Sequence, residues 1–374
     1  MSVKRILITA GGTGGHLYPA QALAQQLIKQ PVVSDVLFVA GGLGKNRYFD
    51  AHRFPFREIA CSPLLSRNPL KCFQGARHLF KGILQSLQIL KNYQPHLVVG
   101  FGSYYTVPIL IAARWLKIPI ILHEANSIPG RANQWLAPLA TFVGIHFPST
   151  ASFFKNKAIE VGLPLREGYA LNALSQKEAL AYYGLSADRR TLLICGGSQG
   201  ARAINQLVAE CLPTFQRLGL QMIHLTGDAE KAKELMNLYA AYHIPACVKA
   251  FENQMQMAWR GADGFVGRSG ASTIAESLEF EVPGILIPYP YATDQHQEKN
   301  ADFLVEMVHS GRKLLESELA PNQLGKAIEE LFETQQYSVF KEALRIYKQR
   351  PHQLTLCELI LRLSVSHKDK LYGR

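Results

Sequence analysis

The chain has 374 residues, 48% of them hydrophobic, which suits about two domains, and no apolar run reaches the ~18 residues of a membrane-crossing helix. Its formal charge of +11 is lopsided: residues 1–165 hold 17 Lys and Arg against 5 Asp and Glu, and no acidic residue lies between Glu58 and Glu124. Such a field calls for an acidic partner: nucleic acid, anionic lipid or a phosphorylated substrate. The six cysteines form no C-x-x-C pair, which argues against a zinc site or a disulfide framework and for a reducing cytoplasm. No cleavable signal peptide is expected, because the first residues run directly into a strand.

In chain order, residues 4–9 read as a buried strand, Gly11-Gly12-Thr13-Gly14-Gly15-His16 as a glycine loop and residues 19–30 as a helix. Strand, glycine loop and helix make a turn that admits a phosphate or a closely approaching backbone. The spacing is not G-x-G-x-x-G, and no acidic residue stands at the ribose position ~20 residues on, which argues against a dinucleotide site. Further strands are expected over 36–40, 97–100, 118–122 and 141–145. They lead into Gly41-Gly42-Leu43-Gly44, Phe101-Gly102-Ser103-Tyr104-Tyr105-Thr106 and His123-Glu124-Ala125-Asn126. Strands alternating with helical segments indicate a parallel α/β sheet, whose ligands bind at the carboxyl ends of the strands.

Residues 64–91 stand out within the acid-free stretch. Leu64, Leu65 and Phe73 lie near Arg67 and Lys71 in Pro-broken backbone. The following helix carries Leu79, Phe80, Ile83, Leu84 and Leu87 at 3–4 spacing, with Arg77, Lys81, Gln85 and Gln88 on another face. The apolar stripe is expected to pack on the sheet. The loop and the basic face are expected to meet an anionic membrane surface, as a peripheral contact.

Gly162-Leu163-Pro164-Leu165-Arg166 marks a boundary, dividing residues 1–164 from 165–344, with a C-terminal helix over about 345–374 returning to the first domain. A second α/β unit opens with a strand over 191–195, the loop Gly196-Gly197-Ser198-Gln199-Gly200-Ala201 and a helix from Arg202. Strands over 222–225, 247–250, 262–266 and 285–287 continue it. After the third of these, Gly267-Arg268-Ser269-Gly270 breaks into a helix over 272–280. Backbone N–H groups at that helix N-terminus suit a phosphate, and Glu276, roughly 6 Å further along the axis, suits a ribose diol. The polar run from Tyr291 to Asn300 follows a strand and opens another helix.

The glycine loop with Pro19, His123-Glu124 with Asn126, the loop from Gly196 to Ala201, the run Arg268 to Glu276, and Gln297 with Asn300 together resemble the MurG family. These are bacterial glycosyltransferases that add N-acetylglucosamine to the lipid-linked muramyl-pentapeptide precursor of peptidoglycan. The resemblance implies a GT-B fold, two Rossmann-like domains with parallel sheets facing across a deep cleft. It also implies inverting transfer from UDP-N-acetylglucosamine to the 4-hydroxyl of the muramyl sugar. Carried over residue by residue, the donor site would comprise Thr13, Gly14, Gly15, Asn126, Arg166, Ser198, Glu252, Ala271, Ser272, Thr273, Ile274, Ala275, Glu276 and Gln297. Four positions depart from the family pattern: Leu163 stands for Asn, Ala125 for Gln, Ser103 for Gly, and Glu252 for an apolar residue.

The chemistry of the residues agrees with a transferase that needs no cofactor. There is no D-x-D pair to hold a divalent cation against a diphosphate, although a loosely bound cation stays open. The departing UDP would then be stabilised by backbone amides, a helix N-terminus and Arg166 or Arg268. His16 is the first choice of base, since an ordinary imidazole titrates near neutrality, and Glu124 is its rival or a buried brace. The alternatives are another GT-B transferase with a lipid acceptor, such as a diacylglycerol galactosyltransferase, or a non-catalytic nucleotide-sugar-binding subunit at the membrane. Nucleic acid is not expected as a partner, because the acid-free segment carries no RNA- or DNA-binding motif. The expected location is the cytoplasmic face of the cell (inner) membrane.

Overall fold

The computed structural model describes residues 4–62, 69–169, 174–197, 201–350 and 354–371, with the backbone alone for 69–72, 321 and 364–371. Its contacts divide the chain into two units, residues 1–167 with 353–374, and residues 168–352. The expected breaks at 164/165 and 344/345 therefore fall a few residues early. Residues 345–352 stay with the second unit because the helix Thr334–Lys348 buries Phe340 and Leu344 there. Lys348 Nζ also donates to the Glu279 carbonyl at 2.5 Å.

The first unit is a seven-stranded, all-parallel sheet: β1 (Lys4–Thr9), β2 (Val33–Ala40), β3 (Phe56–Glu58), β4 (Leu97–Gly100), β5 (Ile120–Glu124), β6 (Phe142–Ile145) and β7 (Ala158–Glu160), in the order β3-β2-β1-β4-β5-β6-β7. Its central strands β1, β4 and β5 carry runs of Val, Ile and Leu because both faces are covered there. One face packs Leu17, Leu23 and Leu27 of the helix Gly14–Ile28 with Leu356, Leu359 and Ile360 of the C-terminal helix Leu356–Leu371. The other packs Ile83 and Leu90 of the helix Pro69–Tyr93 with Ile109, Leu110 and Ala113 of the helix Val107–Trp115.

The second unit repeats the plan with six parallel strands: β8 (Thr191–Cys195), β9 (Gln221–Leu225), β10 (Ala246–Lys249), β11 (Gly264–Gly267), β12 (Gly284–Leu286) and β13 (Gly311–Lys313), in the order β10-β9-β8-β11-β12-β13. In both units the strand order reverses beside the first strand, between β1 and β4 and between β8 and β11. Such a switch point opens a crevice outside the carboxyl ends of the strands, where α/β sheets bind ligands.

The helix Gly14–Ile28 starts five positions before the expected 19, because Gly14 and Gly15 form its first turn and Pro19 lies inside it. The expected β5 is displaced by two residues toward its carboxyl end, so that His123 and Glu124 are part of the strand.

Candidate active site

In the first unit the glycine loop crosses the β1 end of the switch point. Thr13 is the extended N-cap of the helix Gly14–Ile28, and its carbonyl accepts from the amides of His16 and Leu17 at 3.2 and 3.1 Å. The Thr13 side chain does not cap this helix, and the amides of Gly14 and Gly15 lie ahead of its first intrahelical hydrogen bond. Gly12 has φ +86°, and a Cβ at Gly11 would fall 2.6 Å from Tyr105 Cβ; glycine is what allows this turn. Asn46 Nδ2 holds the Gly12 carbonyl at 2.9 Å, and Gln21 ties the helix to Tyr48 O and the Asp50 amide at 2.8 Å each. Neither Asn46 nor Gln21 belongs to a recognisable motif, which is why sequence reading passed over them.

Glu124, at the end of β5, is buried. Its Oε1 accepts from the Asn126 amide at 3.0 Å and Asn126 Nδ2 at 3.5 Å; its Oε2 accepts from the Gly130 amide at 3.0 Å and Asn133 Nδ2 at 2.8 Å. Burial pushes this carboxyl up, and the four donors work against that shift. The arrangement braces the turn that carries Asn126, and Asn133 is the brace residue that sequence reading missed. His123 is also buried and is pushed down to about 3, by burial first and then by the neighbouring His146 and His16, so its ring is neutral.

The loop after β4 contains the one departure that strains the backbone. Ser103 sits at φ 72° and ψ 153°, a region open essentially to glycine alone, next to Gly102 at φ +83°. Ser103→Gly is therefore expected to stabilise the protein by about 1 kcal/mol, raising the urea midpoint; an unchanged or lower midpoint would show that the strain is not there.

Arg166 belongs to the first unit, with its guanidinium carbon 4.8 Å over the Tyr18 ring of the helix Gly14–Ile28. Its neighbour Glu167 pairs with Lys29 at 2.8 Å and Arg53 at 3.3 Å.

In the second unit, β11 abuts β8 so closely that a Cβ at Gly267 would fall 2.5 Å from the Cys195 carbonyl. Gly270, which has no side chain to cap with, is the N-cap of the helix Ala271–Phe280. The amides of Ala271, Ser272 and Thr273 thus head the helix, while the side chains of Ala271, Ile274 and Ala275 are buried beneath it. Glu276 lies about 1.5 turns in, with its Oε2 accepting from the Trp259 indole N–H at 2.6 Å.

Ser269 Oγ donates to the Gln297 carbonyl at 2.7 Å, and Asn300 Nδ2 to the Ser269 carbonyl at 3.1 Å, so the helix His296–Asp302 is tied to the Gly267–Gly270 turn. The Gln297 carboxamide is oriented by the Tyr289 amide, which donates to its Oε1 at 3.0 Å. Asp294 and Gln295 precede this helix at φ 52° and 53°, a strained entry for two side-chain-bearing residues.

Two of the charged side chains singled out in the sequence are engaged within their own unit. The Arg268 guanidinium is buried and committed, donating to the Ile287 and Pro288 carbonyls at 3.1 Å each and pairing with Glu316 at 2.5 Å. Glu252 is buried with its carboxylate turned into its own unit. There it meets Lys249 Nζ at 2.7 Å, the Gln254 amide at 2.8 Å and Tyr183 OH at 3.2 Å. Burial alone would raise this carboxyl; the Lys249 ammonium, the amide and the phenol outweigh it and hold the group low. Ser198, expected at the loop after β8, lies outside the described residues.

The chain matches the Glycosyltransferase family 28 N-terminal domain over residues 6–145 and the Glycosyltransferase family 28 C-terminal domain over residues 191–351. Two Rossmann-like domains with glycine-rich turns at their switch points place it in the GT-B class of glycosyltransferases. It is 56% identical to the UDP-N-acetylglucosamine--N-acetylmuramyl-(pentapeptide) pyrophosphoryl-undecaprenol N-acetylglucosamine transferase of Protochlamydia amoebophila, covering 96% of this chain and 95% of that one. It is 38% identical to the protein of the same name from Desulfotalea psychrophila, covering 87% of each. The crystal structure of Acinetobacter baumannii MurG superposes with a TM-score of 0.75 at 26% identity, covering 97% of this chain and 99% of that one. The chain belongs to this family of N-acetylglucosamine transferases, the MurG family.

Proposed function

We propose that the chain transfers N-acetylglucosamine from UDP-N-acetylglucosamine to the 4-hydroxyl of lipid-linked N-acetylmuramyl-pentapeptide, in peptidoglycan synthesis. The observation that carries this reading is the 56% identity, over nearly the whole of both chains, to a protein named for that transfer. In the reaction the acceptor oxygen bonds to C1 of the sugar, and the bond from C1 to the β-phosphate oxygen breaks. The electron pair leaves with UDP, the hydroxyl proton passes to His16, and the configuration at C1 inverts.

The residues divide the work as follows. The amides of Ala271 to Thr273 receive the diphosphate, since the positive end of a helix stabilises the charge that grows on UDP. Glu276 accepts hydrogen bonds from the ribose, and Gln297 contacts the sugar hydroxyls. Thr13, Gly14 and Gly15 bring a second uncapped helix N-terminus, and Asn126 is presented on its Glu124-braced turn. Arg166 supplies a cation in place of Arg268. No resident cofactor is part of this mechanism.

The partner surface proposed for the first unit is an anionic membrane. The helix Pro69–Tyr93 does not bury a single stripe: Ile83 and Leu90 sink into the core with Leu79 and Leu87 against it, whereas Phe73, Phe80 and Leu84 are 73%, 64% and 51% exposed. Steps of seven and four residues keep those three on one face, and Arg77 and Lys81 beside them are exposed. The adjoining helix Val107–Trp115 ends in Trp115, 62% exposed. Apolar rings between cations suit reversible attachment to a headgroup layer. Leu64, Leu65 and Arg67, assigned to the same contact, lie outside the described residues, and Lys71 is described by its backbone alone. None of the described helices is long and apolar enough to cross a membrane.

Anionic vesicles should sediment the wild-type protein, less so as salt rises. Serine at Phe73, Phe80 and Leu84, or glutamate at Arg67, Lys71, Arg77 and Lys81, should abolish binding and leave UDP affinity unchanged. Wild-type vesicle binding by both variants would move the membrane face elsewhere. The transfer itself is tested by the acceptor, which should gain one N-acetylhexosamine by mass only when UDP-N-acetylglucosamine is present.

A further inference from the structure

Glu276 is a long, exposable carboxylate on a helix, and such a side chain ordinarily samples several rotamers before it meets a ligand. Here it is held. The indole N–H of Trp259 donates to its Oε2 at 2.6 Å. Trp259 lies on the helix Met255–Gly261, is wholly buried, and packs edge-on against Phe265 of β11 with ring centroids 5.0 Å apart. Its ring is therefore fixed by the core, and its only polar atom is spent on Glu276; an unpaired buried N–H would itself cost stability. The carboxylate sits beside the end of β8, since its charge adds to burial in pushing the Cys195 thiol up to about 12. That is the β8/β11 switch point. A carboxylate offers about four lone-pair directions on two oxygens, more than a single indole N–H occupies.

We propose that Trp259 is a positioning residue of the donor site: its indole, locked by the core, pre-orients the Glu276 carboxylate toward the ribose. This rests on the reading of Glu276 as the ribose acceptor. Binding to a pre-ordered acceptor avoids freezing its rotamers on association. The same orientation is used in the ground and the transition state, so its loss acts on donor KM and leaves kcat nearly untouched.

The test is a double-mutant cycle read by calorimetry with UDP. Trp259→Phe keeps the ring and deletes the N–H; it should weaken UDP about fivefold to tenfold in wild-type background. In the Glu276→Ala background the same change should have no effect, because there is no carboxylate left to orient. Equal weakening in both backgrounds would mean that Trp259 acts through general packing and would overturn the proposal. If Glu276→Ala leaves UDP affinity intact, the ribose reading itself falls; if Glu276→Ala weakens UDP but Trp259→Phe does not, only the positioning role falls. A second measurement does not depend on the folding of the Trp259 variant. Trp115, Trp135 and Trp259 are the only tryptophans, and the first two are exposed. With Trp115→Phe and Trp135→Phe in place, UDP titration should change the emission of Trp259. Emission that ignores saturating UDP would contradict the coupling.

Discussion

Replacing His16 with alanine should lower kcat by roughly 10²–10⁴ while UDP affinity stays near wild type. A sugar hydroxyl is far too weak an acid to ionise at neutral pH, so its proton must leave as the bond to C1 forms, and a positioned base is needed at that moment. His16 lies in the first turn of the helix Gly14–Ile28, at the carboxyl end of β1. The rival Glu124 spends both oxygens on Asn126, Gly130 and Asn133. His123, which His16 influences electrostatically, is neutral and so adds no fixed positive charge against a proton arriving at His16. Steady-state kinetics with saturating donor and acceptor, set beside UDP calorimetry, separates the two roles. A variant that keeps its kcat but loses donor affinity would make His16 a binding residue and leave the base unidentified.

Glu276→Ala should weaken UDP and UDP-N-acetylglucosamine alike, by roughly 1.5–3 kcal/mol, because each loses hydrogen bonds to a charged acceptor. At about 1.4 kcal/mol per decade that is ~10- to 150-fold in Kd. The parallel loss matters more than its size. The ribose is common to both ligands, whereas a residue that reads the sugar would spare UDP. Unchanged UDP affinity in a folded variant would remove Glu276 from the ribose.

Much of this was legible in the sequence where chemistry and periodicity coincide. The strands β1, β4 and β8 were readable to the residue because buried parallel strands are unbroken apolar runs ending in glycine or polar residues. The edge strands β3, β7 and β13 have three residues each, too few for any period to register. The helix Gly14–Ile28 begins before the point its sequence suggests, because glycine reads as a breaker, although a helix N-terminus at a binding turn needs residues without a Cβ.

Arg268 shows the limit of motif adjacency. It stands inside the donor loop in sequence, but where a guanidinium points depends on partners far along the chain, here Glu316 and the carbonyls after β12. The helix Pro69–Tyr93 shows the limit of spacing. Leu79, Ile83 and Leu87 share one face and Phe73, Phe80 and Leu84 another, but steps of three and four link the two sets, so the spacing suggests one stripe where there are two. Trp259 carried no signal, because its role depends on a neighbouring helix.

The most direct test of the central claim is UDP release by the purified protein with lipid-linked muramyl-pentapeptide, across UDP-N-acetylglucosamine, UDP-N-acetylgalactosamine, UDP-glucose and UDP-galactose. The account predicts rapid release from UDP-N-acetylglucosamine that stops when the acceptor is withheld, and slow release from the others. Release from UDP-glucose or UDP-galactose onto diacylglycerol, with none from UDP-N-acetylglucosamine onto the muramyl lipid, would contradict it.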